Sequence, residues 1–100
     1  MRVTIVPSDG TVVVDGVGFT VKCDDLPVNV HAIQWDGVRG QIEYGVQRCE
    51  HCGGRSKAPN EEFTDFAPYQ KYVDAWGIAK AAADQAAALF QEGASHDAGP

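Results

Sequence analysis

The residues best suited to chemistry in this 100-residue chain lie in the run Cys49-Glu50-His51-Cys52-Gly53-Gly54. Two thiolates two residues apart, followed by glycines whose amides can point at sulfur, are typical of one knuckle of a zinc ribbon. A structural zinc needs four ligands, however, and the chain has no second knuckle of this kind. Cys23 with His31 or His51 could complete the set, or two knuckles from two copies or from a partner could share one ion.

A redox role for Cys49 and Cys52 is a weaker alternative. Thioredoxin-like chemistry places the first cysteine at a helix N-terminus, where the helix dipole lowers the pKa of its thiol, whereas here the pair precedes two glycines in a loop. The simplest interpretation is a reduced, exposed pair in a tolerant loop, with Cys23 as a small apolar core residue. We therefore predict no cofactor, and keep zinc at Cys49 and Cys52 as the alternative.

Other titratable residues do not form a recognisable catalytic set. The carboxylate pairs Asp24-Asp25 and Glu61-Glu62 flank loops and are interpreted as solvated turn residues, and His31 as a residue on a sheet face. No nucleophile stands in a supporting motif, and no glycine-rich loop opens a helix to hold phosphate. The prediction is that the protein is not an enzyme.

Composition narrows the range of partners. Eight Lys and Arg against fourteen Asp and Glu give a formal charge of −6, which repels nucleic-acid phosphates and anionic membrane surfaces. No apolar run approaches the roughly 20 residues that span a bilayer, and Met1 to Val6 is too short for a secretory signal. We expect a cytosolic domain that binds neither nucleic acid nor membrane. Because so small a domain is marginally stable, self-association is expected.

Hydrophobic patterning predicts an α+β domain over residues 1–92. Short alternating runs with Gly and Asp turns between them predict a small antiparallel β-meander of four to five strands in residues 1–44. The expected strands are Arg2–Val6, Thr11–Val14, Phe19–Lys22, Val30–Trp35 and Gln41–Tyr44. A polar loop with the cysteine pair should follow over residues 45–62.

One long helix is predicted over residues 64–92. Thr64 or Asp65 should cap it, Pro68 fits in its first turn, and Gly93 should end it, leaving residues 93–100 as a flexible tail. Its span of about 37 Å exceeds the ~17 Å of a five-residue strand, so the sheet can cover only about half of the helix.

The two halves of this helix differ in side-chain size. An aromatic half should anchor the helix on the sheet through Trp35, Phe66, Tyr69, Tyr72 and Trp76. The alanine-rich half keeps the same apolar stripe with little to bury it. It is the candidate partner-binding surface, formed by Ala79, Ala83, Ala86, Leu89 and Phe90. The alternative is a solvated helix with a frayed end.

Several short segments of the sequence resemble those of a known family. They are the N-terminal Val-x-Ile-Val-Pro-x-Asp-Gly, His31-Ala32-Ile33-Gln34-Trp35-Asp36-Gly37, Gly40-Gln41-Ile42-Glu43-Tyr44, and Pro59-Asn60-Glu61 followed by Thr64-Asp65-Phe66-Ala67-Pro68-Tyr69 and an Ala-rich helix. Over about residues 1–90 the chain resembles small tail-region proteins of tailed bacteriophages and prophages of Gram-negative hosts, usually labelled hypothetical or tail-fibre-assembly-like. The segment from Cys49 to Lys57 departs from the shorter loop expected there.

The resemblance implies a non-enzymatic protein of the phage tail. Such a protein would cap or chaperone a tail fibre in the host cytoplasm, or remain in the virion as a small tail or baseplate component. Its partners would be other tail proteins or further copies of itself. The alternative hypothesis is a zinc-stabilised adaptor or regulatory module that uses the knuckle at Cys49 and Cys52.

Overall fold

A computed structural model describes the backbone of residues 1–48 and 51–98 and the side chains of residues 1–48 and 51–89. It contains eight β-strands followed by one α-helix. The strands are β1 Val3–Val6, β2 Thr11–Val14, β3 Val17–Thr20, β4 Val30–Trp35, β5 Gly40–Tyr44, β6 Gln47–Arg48, β7 Arg55–Ser56 and β8 Glu61–Phe63, and the helix is α1 Gln70–Ala98. The predicted α+β class is confirmed.

Six strands form an antiparallel sheet in the order β3-β2-β1-β4-β5-β8. This order differs from the predicted meander, because β4 pairs with β1 and not with β3. The chain crosses from the β3 edge back to β1 through residues 21–29, and Val21 and Cys23 of that crossing are buried in the core. Burial of these side chains under the sheet makes the crossing part of the core.

The third strand begins two residues earlier than predicted. Asp15 and Gly16 both have positive φ, 49° and 85°, which is the backbone of a tight two-residue hairpin turn. The Asp15 carboxylate also accepts a 2.8 Å hydrogen bond from the Arg2 amide. Val14 therefore pairs directly with Val17, and β3 ends at Thr20 where the prediction had placed its centre.

One face of the sheet forms the core. Residues from five neighbouring strands line up in register across it, in the row Phe19, Val12, Ile5, Ile33 and Ile42. Ile5, Val12 and Ile33 are at most 1% exposed, while Thr4 and Gln34 on the opposite face are hydrogen-bonded to each other at 2.7 Å. The one-sided burial expected from the alternating sequence is thus observed.

The segment predicted as a polar loop is largely a β-hairpin. Every pair recorded between its two sides, from Gly40–Phe63 to Arg48–Arg55, keeps one register. β5 and β6 thus form one side of a single long hairpin, and β7 and β8 form the other. We call its part outside the sheet, residues 45–60, the arm. Every described side chain from Val46 to Asn60 is exposed, so the arm projects into solvent.

The helix differs from the prediction at both ends. Pro68 lies in a short 3-10 turn, Ala67–Tyr69, and α1 begins only at Gln70. Asp65 accepts a 3.0 Å hydrogen bond from the Ala67 amide, but the N-cap position of this turn is Phe66, which has no side-chain capping bond. Neither Thr64 nor Asp65 therefore occupies the predicted N-cap position. At the other end α1 continues through Gly93 to Ala98. A single glycine costs only about 1 kcal/mol inside a helix, which is too little to end it.

Candidate functional site

The start of the helix is attached to the sheet by aromatic side chains. Trp35 packs against Phe66 with 5.0 Å between ring centroids and stacks on Phe63 at 5.5 Å, and Phe63 contacts Tyr69 at 5.0 Å. The expected anchors Trp35, Phe66 and Tyr69 are therefore brought together. Phe63 belongs to the same cluster but is not among the predicted anchors, because residue 63 falls between the predicted loop of residues 45–62 and the predicted helix of residues 64–92.

A second attachment joins the helix to the crossing segment through Asp25. Tyr72 is 3% exposed, and its hydroxyl donates a 2.6 Å hydrogen bond to Asp25 Oδ1. The Lys71 ammonium forms a salt bridge with Oδ2 of the same carboxylate. These bonds from Lys71 and Tyr72 lower the pKa of Asp25, while burial and the hydrogen bond to Asp25 raise the pKa of Tyr72. Asp25 is an exposed turn residue, as expected, but its bonds to Lys71 and Tyr72 were not predicted from the sequence.

The last anchor of the helix lies at the β3 edge of the sheet. The Trp76 indole N–H donates a 2.8 Å hydrogen bond to the Val17 carbonyl, and its ring meets Phe19 edge to face at 6.0 Å. α1 contacts β2 and β3, so it leaves the sheet where the sheet ends. Phe19 and Val17 were not recognisable as partners of Trp76 from sequence spacing.

Beyond Lys80 every described side chain of the helix is exposed. Ala79 is half-buried, every side chain from Ala81 to Leu89 is exposed, and Leu89 is 62% exposed. At 3.6 residues per turn, Ala79, Ala83 and Ala86 continue the face that carries Tyr72 and Trp76. We call these three alanines together with Leu89 the free stripe. The predicted surface residue Phe90 has its side chain outside the described part of the chain.

A charged pair borders the free stripe. Lys80 and Asp84 form an i,i+4 salt bridge of 2.6 Å between side chains that are 42% and 65% exposed. Such exposed pairs contribute only a few tenths of a kcal/mol, so the bridge adds little to the stability of the helix. Because Lys80 is four residues after Trp76, it lies on the same side of the helix, beside the free stripe.

Cys52 lies at the tip of the arm. Cys52 is exposed, and Gly53 immediately after it has φ of 68°, whereas Cys49 lies outside the described residues. Cys23 does not accompany them, because it is 2% exposed in the core and its thiol donates to the Val21 carbonyl at 3.3 Å. Burial, with Asp25 and Asp24 nearby, raises the pKa of Cys23.

The two candidate histidines are also apart from one another in the fold. His31 is an exposed residue of the central strand β4, whereas His51 lies with Cys52 on the arm. Among the described side chains, those of residues 1–48 and 51–89, no three His, Cys, Asp or Glu are grouped as metal ligands.

Two open clefts flank the sheet. One of about 320 Å³ lies at the Asp36–Arg39 turn and is lined by Arg2, Gln34 and Gln41, while an apolar one of about 290 Å³ lies between Pro7 and the crossing segment. In the turn, Asp36 Oδ1 accepts hydrogen bonds from the Val38 and Arg39 amides at 2.9 and 2.8 Å, and these bonds lower its pKa. Asp36 thus has the turn-forming role expected from the sequence.

Comparison of the sequence with protein-family models, with curated proteins and with solved structures finds no match. Among the described residues no helix has the length and apolar character needed to cross a membrane.

Proposed function

We propose that this chain is a non-enzymatic tail-associated protein of a tailed bacteriophage or prophage. In this proposal the distal half of α1 binds a tail-fibre, baseplate or other tail protein, or another copy of the chain. The protein acts in the host cytoplasm during assembly, as a chaperone or as a component that enters the virion. The sequence resemblance supports the tail assignment, and the free helix supports the binding mode.

The observation that carries the binding mode is the position of the free stripe. The apolar face of α1 is covered by the sheet as far as Trp76, continues through half-buried Ala79, and is then exposed at Ala83, Ala86 and Leu89. Small side chains let a second helix approach closely, at an interaxial distance near 8 Å. A helix that is longer than its own sheet therefore offers a surface that the fold itself does not use.

The test compares two Ala→Asp substitutions on opposite sides of the helix. Ala86→Asp introduces a negative charge in the free stripe. Ala88→Asp introduces the same charge two residues later, which is a rotation of about 200° and therefore the other side of the helix. Both positions are exposed, so both variants should fold. We expect Ala86→Asp, like Leu89→Asp, to abolish assembly in native mass spectrometry and Ala88→Asp to preserve it. Equal effects of Ala86→Asp and Ala88→Asp would contradict the proposal.

The tail assignment needs a separate experiment. The purified chain is mixed with each tail-fibre and baseplate protein encoded beside its gene, and complexes are measured by native mass spectrometry. A stoichiometric complex with one of them, or a defined homo-oligomer detected in purified virions, supports the assignment. Absence of the chain from virions together with no complex would overturn it.

A zinc-stabilised adaptor is the second candidate, favoured by the backbone at the tip of the arm. Gly53 has positive φ and follows Cys52, as a knuckle turn requires, and the arm has no buried side chain among its described residues. Cys49 and Cys52 would supply two of four thiolate or imidazole ligands. Buried Cys23 does not project toward the arm, so the remaining ligands would come from His51 and a second chain.

Metal analysis separates the two candidates. Zinc at a fixed ratio in protein purified without a metal-affinity tag, lost in Cys52→Ser together with ordering of the arm, supports the adaptor. A control Cys23→Ala variant should keep the metal. Assembly that is unchanged by a chelator and by Cys52→Ser favours the helix-docked tail protein.

A further inference from the structure

The arm has a charge opposite to that of the rest of the chain. It holds Arg48, Arg55 and Lys57 against the single acid Glu50, for a net charge of +2. The other residues hold five Lys and Arg against thirteen Asp and Glu, for −8. The cations of the arm thus form a local positive surface on an acidic protein.

This positive charge is not neutralised within the described residues. Arg48 and Arg55 pair directly across the two strands, where side chains are about 5 Å apart and like charges repel. Neither they nor Lys57 belong to a salt bridge among residues 1–48 and 51–89. Two arginines opposite one another, with no counter-charge among the described residues, would be stabilised by an anionic group placed against them.

The arm also lacks a core of its own. Its two strands have two residues each, and every described side chain from Val46 to Asn60 is exposed. A two-stranded hairpin of this kind is at best marginally stable in water. Contact with another surface would therefore contribute both the missing counter-charge and the missing burial.

We propose that the arm binds the distal helix of a second copy of this chain. Residues 80–98 contain Asp84, Glu92 and Asp97 against the single cation Lys80, which pairs with Asp84, for a charge of −2. The C-terminal end of the helix dipole adds further negative potential there. A cationic arm and an anionic helix end are complementary, and the exposed Val46 of the arm supplies apolar surface for the free stripe.

The topology makes this contact intermolecular. The arm continues β5 and β8 at one edge of the sheet, while the helix leaves the sheet at β3, the other edge. Five strand spacings separate the two edges, on the order of 24 Å, and the arm extends along the strands rather than across them. Copies joined in this way are arranged head to tail, which yields rings or chains of subunits.

This inference rests on the proposed function, because it uses the same distal helix and names its occupant. The test measures self-association of the untagged full chain by sedimentation velocity at low and high salt. We expect assembly at low salt that weakens as salt rises, and a Kd weakened by at least roughly tenfold in the double variant Arg48→Glu/Arg55→Glu. Adding Asp84→Lys/Glu92→Lys to that variant should restore assembly. The matched control Lys22→Glu/Arg39→Glu makes the same change of charge at exposed positions outside the arm and should assemble like the wild type.

The outcomes distinguish this inference from the proposed function. Assembly that is lost in Ala86→Asp but unaffected by Arg48→Glu/Arg55→Glu would overturn docking of the arm and leave the helix surface intact. A wild-type chain that is monomeric at low salt overturns docking of the arm, while binding of tail proteins still decides the proposed function. Binding of a labelled oligonucleotide that requires Arg48 and Arg55 would also overturn it, because the arm would then serve a nucleic acid.

Discussion

The Tyr72 hydroxyl donates a 2.6 Å hydrogen bond to Asp25 Oδ1, which joins the first turn of α1 to the segment that crosses from β3 to β4. Two parts of the chain that are 47 residues apart are thereby held together beside the core. Because Tyr72 is buried and Asp25 is half-exposed, this bond places the helix more specifically than apolar packing alone would.

Removal of the Tyr72 hydroxyl should destabilise the fold. Tyr72→Phe keeps the ring in the core but loses the hydrogen bond to Asp25, at an expected cost of about 1 kcal/mol in the free energy of unfolding. Tyr69→Phe is the matched control, because no hydrogen bond of the Tyr69 hydroxyl is present among the described residues. Urea denaturation measures both variants. Equal losses would show that the Asp25 contact does not hold the helix.

Acid should weaken the same attachment. The pKa of Asp25 is lowered from 3.8 in the folded state by Lys71 and Tyr72, so its contribution is present above that value and is lost as pH falls through the lowered pKa. The difference in urea midpoint between wild type and Asp25→Asn should therefore narrow as pH falls from neutral to about 2. Asp24→Asn, with an exposed side chain, serves as the control at neutral pH and should resemble wild type. A difference that stays constant with pH would contradict this assignment.

Two glycines should respond to alanine in opposite directions. A Cβ at Gly40 would overlap the Phe63 ring and lie 2.5 Å from the Gln34 carbonyl oxygen, whereas a Cβ at Gly77 would meet nothing within 4 Å. Gly40→Ala should thus cost about 1–3 kcal/mol by overpacking, and Gly77→Ala should stabilise the helix by up to about 1 kcal/mol. Thermal denaturation measures both. A neutral Gly40→Ala would show that Phe63 and Trp35 repack freely.

Amide exchange along α1 should report where the sheet stops supporting it. In monomeric protein we expect slow exchange from Val73 to Trp76 and faster exchange from Ala81 to Leu89, because the second segment buries no side chain and short helices are marginal alone. In the assembled state the second segment should become protected. Uniform protection in the monomer would mean that the distal helix packs on its own chain.

Much of the strand and helix content follows from local pattern. Three features depend only on residues close together in the chain: the alternation in β1, β2 and β4, the Asp36 turn, and the 3.6-residue period of the aromatic helix half. They can therefore be predicted from the sequence without the tertiary structure. The predicted anchors Phe66, Tyr69, Tyr72 and Trp76 follow from that period. The position of β3 was missed because the two residues Asp15 and Gly16 form the whole turn, and the end of α1 was missed because one glycine does not end a helix.

The sequence pattern does not predict which residues far apart in the chain contact each other. The sequence around Asp25 is typical of an ordinary turn. Only the crossing of residues 21–29 under the sheet brings Asp25 to Tyr72 and Lys71. The same holds for the arm, whose strands are too short and polar to be recognised. Its structure follows from the shared register with β5 and β8.

By itself the sequence determined that one acidic α+β domain carries a helix longer than its sheet, because chain length, charge and periodicity are local or additive properties. Only the tertiary structure decided that β4 joins β1, that Cys23 is enclosed in the core apart from the arm, and that the arm and the distal helix leave opposite edges of the sheet. Those outcomes depend on which buried surfaces pack against each other when they are dozens of residues apart in the chain. The spacing of residues along the sequence does not determine that packing.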